Sequence, residues 1–138
     1  MRMLRTLLVA SLGFVLHAVA PVRAAELLMF ESPGCHWCIK WHAEVGPGYA
    51  KTAEGQRAPL RVVQLGNGAP AGVALATPVT VTPTFVLIEN GRESGRITGY
   101  PGADFFWGLF EQLLTKLPPV VAPPVEQRAG ARTLRNPT

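Results

Sequence analysis

The chain has 138 residues, with 13 Lys and Arg against nine Asp and Glu, a formal charge of +4 and two cysteines. Three of the basic residues (Arg2, Arg5 and Arg23) fall in the first 24 positions, which hold no acid; beyond them ten basic residues face nine acidic ones. That near-neutral remainder offers no basic face of the kind a nucleic-acid binder needs.

Residues 1–24 have the three parts of a secretory leader. Arg2 and Arg5 form a basic start, Thr6 to Ala20 is apolar apart from His17, and Val22-Arg23-Ala24 puts apolar and small residues where a signal peptidase reads. Cleavage after Ala24 and export to the periplasm are expected. The alternative is an uncleaved membrane anchor, but the apolar stretch is shorter than the ~20 residues of a spanning helix. No cysteine follows the leader, so a bacterial lipoprotein anchor is excluded.

Glu26 to Glu31 reads as a strand whose continuous apolar centre, Leu27-Leu28-Met29-Phe30, predicts burial on both faces. Pro33-Gly34 turns the chain. Cys35 to about Val45 reads as helix, with Cys38, Trp41 and Val45 on one face, until Gly46-Pro47-Gly48 breaks or kinks it. Leu60 to Leu65 is a second strand. Asn67 to Thr80, rich in Gly, Ala, Pro and Thr, holds at most a short helix around Ala71 to Ala76. Thr84 to Glu89 is a strong strand, Asn90-Gly91 a hairpin turn, and Arg92 to Thr98 its partner. After Gly99-Tyr100-Pro101-Gly102, a last helix shows Phe106, Leu109, Phe110, Leu113, Leu114 and Leu117 at three- and four-residue spacing. From Pro118 the chain carries five prolines and no apolar period, the composition of an extended, disordered tail. One domain over 25–117 is expected, as a monomer.

Cys35 and Cys38 stand at the junction of the first strand and helix. A Cys-x-x-Cys there places both sulfurs on the first turn, where unpaired N–H groups and the positive dipole end favour thiolate. Thiolate is the nucleophile of disulfide exchange. Helix geometry makes Cys35 the outward nucleophile and Cys38 the resolving thiol beneath it. As a staple the pair is poor, because it closes a very short loop. His36 either stabilises the Cys35 thiolate by charge or hydrogen bond, or only faces solvent. Trp37 reads as part of an apolar rim for substrate, Trp41 as core, and His42 as solvated.

Two other classes compete. Cys35, Cys38 and His42 share a helical face, with His36 nearby, and such a set suits Cu(I) or Zn(II). A non-catalytic adaptor would keep a redox-inert pair, which a titratable two-electron potential would dismiss. Covalent c-type haem is excluded, since position 39 is Ile rather than His.

The order of strand, Cys-x-x-Cys helix, strand, ill-defined connection, hairpin and helix resembles the thioredoxin superfamily in its compact form. Three landmarks carry the likeness: Cys35-His36-Trp37-Cys38, Val81-Thr82-Pro83-Thr84-Phe85 and Gly99. The resemblance implies an α/β fold with a central mixed sheet of about four strands flanked by helices. It implies a cis-proline at Pro83 packed against the cysteines, the Thr82 backbone free to pair with an extended peptide, and Gly99 lining the substrate groove. Tyr100 either borders that groove or covers the core. More narrowly, Glu31-Ser32-Pro33-Gly34-Cys35, Trp41-His42-Ala43-Glu44-Val45 and Gly99-Tyr100-Pro101-Gly102 look like the periplasmic thioredoxins of bacterial sulfur-oxidation clusters, the SoxS type. That likeness implies reduction or reactivation of a cysteine in a periplasmic partner protein. No nicotinamide or flavin site is visible and no cofactor is expected, so the electrons would come from a membrane thiol transporter. One departure stands out: the buried acid many relatives carry six residues before the nucleophile is here Met29, with Glu31 the nearest acid.

Overall fold

The computed structural model describes residues 25–119. The leader read over 1–24 and all but the start of the tail read from 118 lie outside them. Four strands form one mixed sheet: β1 (Glu26–Glu31), β2 (Leu60–Gln64), β3 (Thr84–Glu89) and β4 (Arg92–Thr98), in the spatial order β2-β1-β3-β4. β1 runs parallel to β2, with Met29 opposite Val62, and antiparallel to β3, with Met29 opposite Phe85. β3 and β4 make the hairpin around Asn90-Gly91, with a register shift between Leu87 and Ile88. Asn90 and Gly91 both adopt positive φ, as such a tight turn requires.

Helices flank this sheet. α1 (His36–Glu44) is followed by two short helices, α2 (Gly46–Tyr49) and α3 (Ala53–Arg57), and α4 (Ala103–Leu114) closes the domain. Period-two alternation in the strands divides the core. Leu27, Met29, Phe85, Leu87 and Ile97 face Trp41, Val45, Tyr49, Phe106, Phe110, Leu113 and Leu114, while Leu28, Phe30, Val63, Val86 and Ile88 face the other way. β1 is thus buried on both sides, as its composition demands. Trp41 is fully buried among rings, with Phe85 and Phe106 centroids at 5.3 and 5.7 Å.

At four places the structure goes beyond or against the sequence expectations. The expected break or kink after Val45 is there, and the chain goes straight on into a second short helix: Pro47 sits in the first turn of α2, where its missing N–H is no loss. Tyr49 then donates to the Ala58 carbonyl at 2.7 Å, and Gly55 lies so close beneath it that a Cβ would overlap the Tyr49 carbonyl. No helix forms over 71–76. Pro70, Gly72 and Pro78 oppose one, and Ala74 instead bridges to Arg92, exchanging hydrogen bonds with Gly91 and Glu93. Leu65 opens a 3-10 turn (Leu65–Asn67) rather than ending β2. In α4 the buried stripe omits Leu109, which is exposed; Trp107 is drawn inward and stacks on Tyr49 at 5.9 Å.

The segment between the 3-10 turn and β3 covers the second sheet face. Val73, Leu75 and Val79 pack on it, and polar ties hold it down. Arg96 and Glu93 pair on β4; Glu93 accepts the Ala76 N–H and Arg96 donates to the Thr77 carbonyl, both at 2.8 Å. At the far end, Arg57 donates to the Pro118 carbonyl at 3.0 Å.

Candidate redox site

β1 delivers the chain to the site and α1 begins it. Cys35 caps α1: its backbone is extended, and its sulfur accepts the Cys38 N–H at 3.1 Å. Cys35 and Cys38 form a disulfide with Cα atoms 5.2 Å apart. The two ends are unlike. Cys38 is 3 % exposed and joins the Met29, Trp41 and Phe85 core, whereas Cys35 is half-buried at its margin.

The Thr82-Pro83 bond is cis. Three hydrogen bonds frame that loop. Ser32, in the connection from β1 to α1, shares a hydrogen bond with the Thr82 hydroxyl at 2.9 Å; Thr84 donates to the Val81 carbonyl at 2.7 Å; and Gly99 donates its N–H to the Pro83 carbonyl at 2.7 Å. Gly99 has φ +84°, a conformation that favours glycine, and a Cβ there would meet open space. All three sequence landmarks therefore converge. Pro83 is buried and Thr82 half-buried.

Trp37 is 50 % exposed, with the Lys40 ammonium 5.3 Å from its ring and the His36 ring edge-on at 5.3 Å. His36 is exposed. Tyr100 is buried: its hydroxyl donates to Glu44 at 2.7 Å, and burial, reinforced by that carboxylate, pushes its ionisation well above the ordinary phenol range. Of the two places open to it, the structure selects the core. His42 is exposed but not free, since Glu31 holds it at 2.7 Å and also accepts from Gln64 at 2.8 Å. The metal reading finds no support: among the described residues no three His, Cys, Asp or Glu side chains gather to hold an ion.

Sequence reasoning missed Ser32 and Gln64. Their partners lie 50 and 33 positions away, so no local period announces them. The only signal for Ser32 is a hydroxyl three residues before the first cysteine.

A thioredoxin-like domain model matches residues 23–114. The chain belongs to the thioredoxin-like family. With a Cys-x-x-Cys disulfide at the head of α1, this thioredoxin-like protein is a thiol-disulfide oxidoreductase. It is similar to the periplasmic thioredoxin SoxS from Paracoccus pantotrophus, solved in its reduced form: 50% identity, TM-score 0.66, over 67% of this chain and 97% of that one. A Malassezia sympodialis thioredoxin, Mala s 13, is 20% identical with a TM-score of 0.45, over 64% of this chain and 74% of that one. Comparison with curated proteins returns no match.

Proposed function

We propose that this thioredoxin-like protein is exported behind the leader of residues 1–24 and reduces or reactivates a cysteine of a periplasmic partner in sulfur oxidation. The observation that carries the direction of attack is the asymmetry of the pair. Cys35 is within reach of solvent and its sulfur accepts the Cys38 N–H, while Cys38 is sealed in the core. An N–H donor at a helix start stabilises sulfur as thiolate. The 50% identity to a periplasmic thioredoxin supports the compartment and the sulfur-oxidation setting. Among the described residues no helix is long and apolar enough to cross a membrane.

In the forward reaction, the Cys35 thiolate attacks one sulfur of the partner's disulfide. A mixed disulfide forms and the partner's other sulfur leaves as thiolate. Cys38, deprotonated, then attacks the Cys35 sulfur and releases the second partner thiolate, so two electrons pass to the partner and Cys35–Cys38 is left oxidised. A dithiol donor, taken here to be a membrane thiol transporter, restores the pair. Thr82, whose main chain makes none of the turn and loop hydrogen bonds around it, and Gly99 dock the partner's extended segment beside Pro83, with Trp37 as an apolar rim.

Cys38→Ser should trap covalent partner adducts on Cys35 in a periplasmic extract, seen as reducible high-mass bands. Trapping by Cys35→Ser instead would reverse the two roles.

A further inference from the structure

Ser32 ties the redox turn to the proline loop through two bonds of different kinds. Its carbonyl accepts the Cys35 N–H at 3.2 Å, and its hydroxyl meets the Thr82 hydroxyl at 2.9 Å. Both ends of this link are stiffened. On one side the preceding Glu31 is held by His42 and Gln64; on the other, Thr84 holds the Val81 carbonyl and Gly99 holds the Pro83 carbonyl. Ser32 is itself half-buried, so water competes less for its hydroxyl than at an open surface. None of these groups makes or breaks a bond to sulfur. What they share is the relative placement of Cys35 and Thr82.

We propose that Ser32 is a positioning residue that sets the separation and angle between the Cys35 sulfur and the main chain of Thr82. The proposal rests on the reading above, in which Cys35 attacks and Thr82 docks the partner. Attack on a disulfide proceeds in line with the S–S bond, so orientation governs its rate. A disulfide held by main-chain pairing to Thr82 has that axis dictated by the protein. A small, freely tumbling disulfide finds its own approach to Cys35. Ser32 therefore matters for extended peptide substrates and little for small ones.

The test uses the reduced full chain in single-turnover reactions with three probes. They are an extended peptide disulfide, the same peptide N-methylated at the residues flanking its cysteine, and the aromatic small molecule dithiobis(nitrobenzoate). Wild type should prefer the unmethylated peptide. Ser32→Ala should slow that peptide by roughly three- to tenfold, the scale of one net hydrogen bond. It should also narrow the preference over the methylated form, change the small-disulfide rate by less than about twofold, and leave the Cys35 thiolate titration unmoved. Ser32→Thr should restore the peptide rate. The Ser32→Ala/Thr82→Val double variant should be no slower on the peptide than the slower single one, because both remove the same bond. Equal losses on peptide and small disulfide, an unchanged peptide rate, or additive effects in the double variant would each overturn the role of Ser32. If wild type fails to distinguish the methylated peptide, the docking reading at Thr82 falls first and the proposal with it.

Discussion

The two faces of the sheet are held by different physics. On one, α1 and α4 press rings into an apolar layer: Trp41, Phe85, Phe106 and Phe110 are all fully buried. On the other, Leu28, Phe30, Val86 and Ile88 are covered by a loop whose Val73, Leu75 and Val79 are only partly buried. A cavity of about 350 Å³ remains there between Phe30, Leu65, Leu75, Pro78 and Val79. What the loop lacks in apolar area it replaces with directed bonds from Glu93 and Arg96. The redox site lies where these two constructions meet. Cys38 is rooted in the helix-covered layer, while Val81, Thr82 and Pro83 end the loop that covers the other.

The largest effect expected separates the faces directly. Phe106→Ala should cost about 3–5 kcal/mol in a denaturant titration, whereas Leu75→Ala, at the rim of the cavity, should cost about 1–2 kcal/mol. Equal losses would erase the distinction. A smaller effect tests the polar ties. Hydrogen bonds from Arg96, aided by the Ala76 N–H against the opposing pull of burial, hold the Glu93 carboxyl below its ordinary range. A depressed folded value stabilises above the unfolded one, about 4.3, and that contribution is lost as pH falls through the folded value. Amide exchange at Ala76 should therefore be faster in Glu93→Gln than in wild type at neutral pH. The difference should shrink below about pH 4.3 and vanish once wild-type Glu93 is protonated. A gap that persists in acid would mean that the charge of Glu93 is not what holds the loop.

The smallest effect belongs to the site. His36→Ala removes a donor beside the start of α1, so it should raise the Cys35 pKa and make the pair more reducing. Because His36 is exposed, the change should be well under about one unit, read from thiolate absorbance against pH. Glu93→Gln, on the opposite face, should leave that titration alone. An unchanged Cys35 pKa in His36→Ala would assign activation to the helix terminus itself.

What could be read from the sequence was what local repetition encodes. The strand runs of β1 and β3, the Asn90-Gly91 turn and the stripe from Phe106 to Leu117 each depend on neighbours a few residues away, and apart from Leu109 each is where the pattern puts it. Cys35 and Cys38 were legible for the same reason. α2 and α3 were not, because they are only four and five residues long, Gly46, Pro47, Gly48 and Gly55 disfavour helix, and their placement depends on Tyr49 reaching Ala58. Leu109 is exposed while Trp107 stacks on Tyr49, a ring 58 positions earlier that the local period of α4 does not register. The path of 68–80 was equally hidden, since Ala74 takes its bonds from the β3–β4 turn and from β4. Ser32 meeting Thr82 is a long-range contact between two loops, and loops carry no period.

The order β2-β1-β3-β4 also sets a timetable. β1 is made first yet lies inside the sheet, so it must wait for both neighbours. The β3–β4 hairpin closes over a two-residue turn, a small loop-closure entropy, whereas β1 pairs with β3 across some sixty residues. Cys35 and Cys38 sit on the earliest strand-to-helix junction but depend on the latest pairing for their shelter. In the folding chain the two thiols stand open together until Phe85 arrives to cover Cys38. Being three residues apart, they are each other's nearest reactant throughout that interval.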